Sequence, residues 1–445
     1  MPGVVAQVPE DPVLIGTKTV APARFVSRSQ ALGTSCPAPR GTDRQPAQAT
    51  PDVIRRGRTI EETLRLALEV SDRCGIAGVS DLTALDDLGV AVFACLRPDS
   101  RSDALTFGKG RSAVEAEVGA RMEALEFHCA EPGHSSASET FFVGQREFAE
   151  RAQANVEDFI PLAGASHSTG EDVAVVHAKN VETEQDTLVP AELVFRPAPG
   201  SVQRRFGTST NGLASGNSLE EASACSLLEL IERDIWSLEL ARQGSRWVDP
   251  DTLPTASLDI RERILQRGLR LSVRAVTNDY GLPFFACFLH DPGQLVPAAF
   301  HGGWGCSFDP EQALMQALNE VVQGRIGMLH GGRRPRLQGA SGEDLQAALR
   351  EQVRRVDDPS SPVAFPEVRG VPLAACERPL EKLLSVLRRC CDGPVHRVAL
   401  TDEGEPLQVV RLVVPGLEHY RVGRPRIGRR LERALREAAS ERRIR

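Results

Sequence analysis

The period of the apolar positions changes along the chain and marks out its elements. From Thr59 the run Thr-Ile-Glu-Glu-Thr-Leu-Arg-Leu-Ala-Leu-Glu-Val spaces its apolar residues along one helical face behind a Thr59…Glu62 capping box. Residues 90–96, Val-Ala-Val-Phe-Ala-Cys-Leu, read as a buried strand closed by Arg97-Pro98. A loop with Gly108, Lys109 and Gly110 then leads into the next helix. Between about 130 and 199, polar loops alternate with short strands such as 173–177. Beyond that, helices predicted from Ser218 and Pro310 alternate with strands near 271–275, 284–289 and 408–414. This predicts an α/β fold with helices and sheets in mixed layers. Residues 1–52 hold eight prolines without periodicity and read as a flexible arm. The folded region is expected over 53–424, with an arginine-rich helix or tail over 425–445.

Three segments align without a gap: Ser112…Glu115-Ala116…Glu123…Glu126, Ser218…Glu221-Ala222…Glu229…Glu232, and Asp309…Gln312-Ala313…Glu320…Gln323. Each opens with an N-cap residue and a Glu or Gln three positions later, the pattern of a capping box, and each follows a glycine-bearing loop. The alanine, the glutamate seven residues on and the Glu or Gln three beyond fall within about 80° on a helical wheel, so they share a face. In the second copy Glu229 is the only charge between Ala222 and Ile231, which places a carboxylate inside the protein.

Burying an ionised carboxylate costs several kcal/mol unless a cation compensates it, and carboxylates at i, i+3 repel. If the three faces converge, Glu123, Glu126, Glu229, Glu232 and Glu320 need such cations. Oxygen-rich clusters of this kind suit Mg²⁺, which fills its remaining positions with water and phosphate oxygens.

Composition narrows the partners. Sixty Asp and Glu against 53 Lys and Arg give a net charge of −7, which argues against binding nucleic acid or an anionic membrane with the whole surface. No stretch reaches the roughly 18 apolar residues of a membrane span and no targeting segment is visible, so a cytoplasmic protein is expected. The ten cysteines lack zinc-type spacing and read as reduced structural thiols, as does the Cys390-Cys391 pair. Residues 421–445 carry ten arginines against three glutamates, either as a solvated helix or as a dock for an acidic leader peptide or partner.

The sequence resembles the YcaO family of ATP-dependent enzymes that activate peptide backbone amides. The likeness is carried by Thr210-Asn-Gly-Leu-Ala-Ser-Gly-Asn217 with Glu221-Ala222…Glu229-Leu-Ile-Glu232-Arg233-Asp234, by Gly108-Lys-Gly110…Met122-Glu-Ala-Leu-Glu126, by Pro310-Glu…Ala317-Leu-Asn-Glu320…Gln323-Gly-Arg325, and by Val413-Val-Pro-Gly-Leu-Glu418. It implies a YcaO-like fold around an ATP and Mg²⁺ site. Glu123, Glu126, Glu229 and Glu232 would hold Mg²⁺, while Lys109, Asn217, Glu221, Glu320 and Gln323 would contact the cofactor. Arg233 and Arg325 would reach phosphate oxygens and act in catalysis, as charge and forked donors suit them to do.

Two departures bear on this. Gly119 stands where a serine is common, and the chain lacks the proline-rich ending of many azoline-forming members. Its wording is most similar to standalone members that pair with a TfuA partner and make thioamides. The implied reaction is O-phosphorylation of a peptide amide attacked by sulfide or by a Cys, Ser or Thr side chain, giving a thioamide or an azoline. The alternative is a non-catalytic accessory or scaffold protein for a partner modification enzyme, such as one for ribosomal-protein methylthiolation. A metallohydrolase is disfavoured because no histidine lies in the three blocks; His128, just beyond the first, reads as structural. A peptide or protein substrate, a TfuA-like partner and a homodimer are expected.

Overall fold

The computed structural model describes residues 57–444 except 135–138, 166–170, 201, 203, 295, 332–341, 375–376 and 421–424, so the expected arm at 1–52 lies outside the described residues. Helix α1 (Ile60–Ser71) starts where its pattern predicts: Thr59 Oγ1 accepts from Glu62 N, and Glu62 returns a carboxylate oxygen to Thr59 N. Strands β1 (Gly78–Asp81), β2 (Ala91–Leu96) and β3 (Leu105–Gly110) precede helix α2 (Ala113–Ala130). Then come β4 (Phe141–Val143), α3 (Gln145–Ala152), β5 (Val173–Asn180), β6 (Asp186–Pro190), α4 (Ala191–Val194), β7 (Leu213–Gly216) and the long α5 (Leu219–Arg242). The chain continues through β8 (Arg246–Val248), α6 (Thr255–Gln266), β9 (Arg270–Ala275), β10 (Phe284–His290), β11 (Phe300–Cys306) and α7 (Pro310–Leu329). It closes with α8 (Gly342–Val356), β12 (Pro362–Val363), α9 (Pro379–Leu387), β13 (His396–Ala399), β14 (Gln408–Val413) and α10 (Arg429–Ile444).

The strands form three sheets, ordered β1-β2-β3, β11-β10-β9-β8-β12 and β4-β5-β13-β14-β7, with β6 also paired to β5. Strands β3, β7 and β11 lie one at the edge of each sheet, and each feeds directly into one of the three repeated helices. The repeat is therefore a strand-helix unit, used once per sheet.

The sequence reading placed glycine loops before these helices; the structure instead puts most of those glycines inside β3, β7 and β11. The reason is close approach. A Cβ on Gly108 would lie 1.9 Å from the Ala116 carbonyl oxygen and 2.2 Å from Ala120 N, and one on Gly305 would lie 2.1 Å from the Ala313 oxygen. Gly119 belongs to the same contact, since its own Cβ would sit 3.3 Å from Gly108 Cα. The caps form by half: the side chains of Ser112, Ser218 and Asp309 accept from Glu115 N, Glu221 N and Gln312 N. The reciprocal side chains turn elsewhere, Glu115 to Arg111 N, Glu221 to Asn217 and Gln312 to Ser307.

Apolar faces of α7, β10 and β2 share one core, α5 packs with β10 and α9 in a second, and β5, β6 and α3 build a third. The arginine-rich end is a packed element: Leu431 and Ala434 of α10 bury against Leu238 and Ala241 of α5. Arg430 reaches both oxygens of Asp234 at 2.7 Å, and Tyr280 Oη donates to the same carboxylate. Among the described residues no helix is long and apolar enough to cross a membrane, and the eight described cysteines are free thiols.

Because the backbone of α2 occupies the space of a side chain at Gly108, Gly108→Ala should cost at least about 3 kcal/mol or abolish folding. Gly78→Ala, where a Cβ meets nothing within 4 Å, should change stability little. Thermal unfolding of both variants measures the contrast; equal midpoints would contradict the close packing.

Candidate active site

The three edge strands carry backbone N–H groups without a ladder partner, and buried groups of this kind need an acceptor. The repeated glutamates supply it. Glu123 accepts from Phe107 N at 2.7 Å, Glu229 from Gly212 N at 3.2 Å and Glu320 from Trp304 N at 2.7 Å. Glu123 and Glu320 are thus fixed by the strand that precedes their own helix, and Glu229 by the turn that leads into β7. Gly212 turns with φ +77°, and a Cβ there would meet Leu412 O at 2.4 Å; this left-handed turn is where glycine is required.

Residues three positions further on tie one unit to the next. Glu126 of α2 accepts from Ser215 N and Ser215 Oγ on β7, at 2.9 and 2.6 Å. Gln323 of α7 donates to the Phe107 carbonyl on β3 at 2.8 Å. Between these units, Arg233 of α5 lies over the Trp304 ring on β11. Its guanidinium stands 3.8 Å from Glu229, 3.5 Å from Glu232 and 3.9 Å from Glu320, close enough to share charge with all three but short of a good hydrogen bond to any. The side chains stay reachable through a cleft, Glu232 being 13% exposed and Glu229 28%.

The cost of this arrangement shows in the protonation equilibria. Burial pushes the Glu126 carboxyl up to about 8, against the opposing hydrogen bonds from Ser215 and with help from the charges of Glu123 and Glu229. Burial likewise raises Glu232 to about 7, with Arg233 opposing and Glu320 and Glu229 adding to the rise. Glu229 is raised by burial although Arg233 and Gly212 N–H oppose it. Arg233 is disfavoured by its own burial, yet Glu232, Glu320 and Glu229 hold it protonated well above the usual range.

Of the residues singled out from sequence, the structure brings together Glu123, Glu126, Glu229, Glu232, Glu320 and Arg233, with the charge of Lys109 bearing on Glu232. Asn217, just before α5, and Glu221, in its first turn, form a separate pair: Asn217 Nδ2 donates to Glu221, and Thr63 Oγ1 of α1 donates to Asn217 Oδ1. Arg325 turns to the buried Asp86, at 2.5 Å. Its contact is thus outside the glutamate cluster. Three residues that sequence reasoning missed matter here: Ser215, Trp304 and the wholly buried Arg411. Arg411 had a visible signal, a single charge within the apolar run 409–413. A second cluster, His128, Glu131 and His134, lies at the end of α2. Its carboxylate is already held by Arg97, Ser100, Ser102 and Arg101 N, which fits a structural role for His128.

Five carboxylates, of which Glu229, Glu232 and Glu320 face Arg233, leave a surplus of negative charge in a partly exposed site. That oxygen donor set fits Mg²⁺, a hard cation that takes a few carboxylates and completes its shell with water and phosphate oxygens. The fold and cleft define a carboxylate-lined site suited to a metal-nucleotide complex. Residues 107–418 match the family model described as YcaO cyclodehydratase, ATP- and Mg²⁺-binding. The chain is 32% identical over 388 residues to an uncharacterised protein of Methanothermobacter thermautotrophicus, covering 84% of this chain and 98% of that one. It is 29% identical to an uncharacterised protein encoded in the tfuA 3′ region of Rhizobium leguminosarum bv. trifolii, covering 77% and 84%. In structure it is similar to YcaO from Methanopyrus kandleri bound with AMPPCP and Mg²⁺, with a TM-score of 0.67, 24% identity, and 84% and 95% of the two chains covered. The chain belongs to the YcaO family.

Carboxyls whose folded pKa lies above the unfolded value stabilise the fold while protonated, and that stability is lost as pH rises through the folded pKa. His128 and His396, lowered by burial to about 4, have the opposite slope, but only below about pH 6.5. Between pH 6.5 and 8.5 the metal-free protein should therefore lose about 2 kcal/mol, through Glu126 first and Glu232 with it. Glu126→Gln should flatten that slope. Thermal unfolding across this range in a chelator is the check, and a stability that rises with pH would contradict it.

Proposed function

We propose that this chain is an ATP- and Mg²⁺-dependent enzyme that activates a peptide backbone amide by O-phosphorylation and, with a TfuA-like partner and sulfide, converts it to a thioamide. The observation that carries the reading is the gathering of Glu229, Glu232 and Glu320 around Arg233, with Glu126 close enough to feel the charges of Glu123 and Glu229. The tfuA-region relative supports a TfuA-like partner. The same amide activation, with a Cys, Ser or Thr of the substrate as nucleophile, gives an azoline, in keeping with the cyclodehydratase description of the family.

Glu123, Glu126, Glu229 and Glu232 would hold the metal ions, with Glu320 completing the acidic wall. When bound, Mg²⁺ and ATP supply the phosphoryl group that the amide oxygen takes and departs with as phosphate, leaving sulfur on the carbon. The protein's own part is electrostatic. Strand N–H groups keep the carboxylates in place before any ligand arrives, so little reorganisation is needed when charge moves during transfer. Arg233, loosely shared among three carboxylates, is free to turn toward phosphate oxygens once metal neutralises them. Lys109, next to Glu232 in charge, adds a second cation from β3.

Purified protein supplied with ATP, Mg²⁺, a TfuA-like partner, a peptide encoded beside its gene and sulfide should consume ATP and yield a peptide heavier by the exchange of oxygen for sulfur. Glu229→Gln should lower turnover at least about 100-fold, as loss of a metal ligand does. No ATP consumption by the wild type, or the same rate in Glu229→Gln, would overturn the reading. A mass loss of water would assign the azoline product instead.

A further inference from the structure

Arg411, on β14, is the largest of the fully buried side chains, yet among the described residues no carboxylate lies within ion-pair distance of it. Its guanidinium is spent on backbone carbonyls: Asn211 O at 2.7 Å, Ser209 O at 2.8 Å and Val194 O at 3.2 Å. Burial lowers its pKa to about 10, while the charges of Glu229 and Glu126 help keep it protonated. Holding a bare cation so deep is costly, and its effect is to fix the turn 209–212. One end of that turn is Gly212, whose N–H holds Glu229 and whose carbonyl accepts from Ser226 Oγ at 2.7 Å. Beside it, Asn211 has a buried side-chain oxygen, Oδ1, with no hydrogen-bond partner. A buried acceptor left open has lost its hydration without a replacement bond, a cost that a ligand donor would remove.

We propose that Asn211 Oδ1 is a binding contact for the Mg²⁺-nucleotide complex, accepting a hydrogen bond from a donor that the complex carries, and that Arg411 is the positioning residue that presents it. This rests on the Mg²⁺-ATP reading of the site. An acceptor-only oxygen cannot bond to ionised phosphate, so the donor is water on the metal or a hydroxyl or amino group of the nucleoside. The open acceptor beside the backbone group that holds Glu229 is what a structural account of the turn leaves unexplained.

The two roles separate experimentally. Asn211→Leu keeps the volume and removes the unpaired oxygen, so the unliganded protein should melt at the same or a higher temperature. Mg²⁺-ATP affinity, measured by calorimetry on the full chain, should nonetheless fall about tenfold, with KM rising more than kcat falls. Arg411→Lys, which keeps the charge but lacks the fork that spans three carbonyls, should reproduce the loss of affinity, and Asn211→Leu should add little to it in the double variant. Repeating the titration with Mg²⁺-tripolyphosphate distinguishes the donors: a loss of the same size assigns metal-bound water, and a loss confined to ATP assigns the nucleoside. Wild-type affinity in Asn211→Leu, or a lower melting temperature with unchanged affinity in both single variants, would overturn the proposal while leaving the reading of the site intact. No Mg²⁺-ATP binding by the wild type would overturn both.

Discussion

The constraint on which the structure depends is the pairing of open sheet edges with carboxylates. Strands β3, β7 and β11 end their sheets with main-chain donors that no further strand satisfies. An exposed edge invites aggregation, and a buried unpaired N–H costs about as much as a lost hydrogen bond. Here the following helix folds back over its own strand and offers a glutamate, so Phe107, Gly212 and Trp304 each find an acceptor. The glycines follow from this geometry, because a helix can bring its glutamate to the strand only where the two backbones nearly touch. One contact thus closes the sheet edge, sets the helix spacing and aims the carboxylate.

The same contact loads the cleft with charge that the protein alone balances incompletely. Arg233 serves three glutamates without a close bond to any, while Ser215 gives Glu126 two donors but no positive charge. Burial, with repulsion from neighbouring glutamates adding to it, therefore pushes Glu126 and Glu232 toward the protonated form. Divalent cations held there, as proposed, would displace those protons and relieve the burial cost in one step, linking metal affinity to proton release. On the far side of α5, the Asp234 carboxylate is matched by Arg430, Tyr280 Oη and Glu418 N, which ties the last helix to the residue next to Arg233. Adjacent positions on one helix thus differ: the Asp234 carboxylate is fully hydrogen-bonded, and the Arg233 guanidinium has no close bond to its three carboxylates.

Much of this was legible in the residues because helical period and the cost of burying charge are local arguments. The gapless register of Glu123, Glu229 and Glu320 predicted one face, and the apolar run around Glu229 predicted its burial. Strand identity was not legible: Phe300-His-Gly-Gly-Trp-Gly-Cys306 and Leu105-Thr-Phe-Gly-Lys-Gly110 are interrupted by the glycines that ordinary strands avoid, since their composition answers to a helix passing overhead. The reciprocal half of the capping boxes was diverted to adjacent loop groups, at Arg111, Asn217 and Ser307. Arg325 carried the same phosphate expectation as Arg233, but its partner Asp86 lies 239 residues away and no local pattern reports it. The arginines of α10 suggested a solvated helix because composition does not reveal that Leu431, Ala434 and Arg430 share the face turned to α5.

The third copy shows why the repeat is not exact. Position 126 faces the donors of Ser215 on β7, and a carboxylate there is well served. The matching position 323 faces the Phe107 carbonyl on β3, an acceptor. An ionised glutamate at 323 would set its charge against that oxygen, bury it at 6% exposure and add a sixth acidic group to a cleft with one central arginine. Glutamine of equal length reverses the polarity of the contact and removes the charge, so α7 can still clamp β3. The repeat thus keeps its shape in all three units while the strand opposite, donor-rich or acceptor-rich, decides which units can carry a second carboxylate.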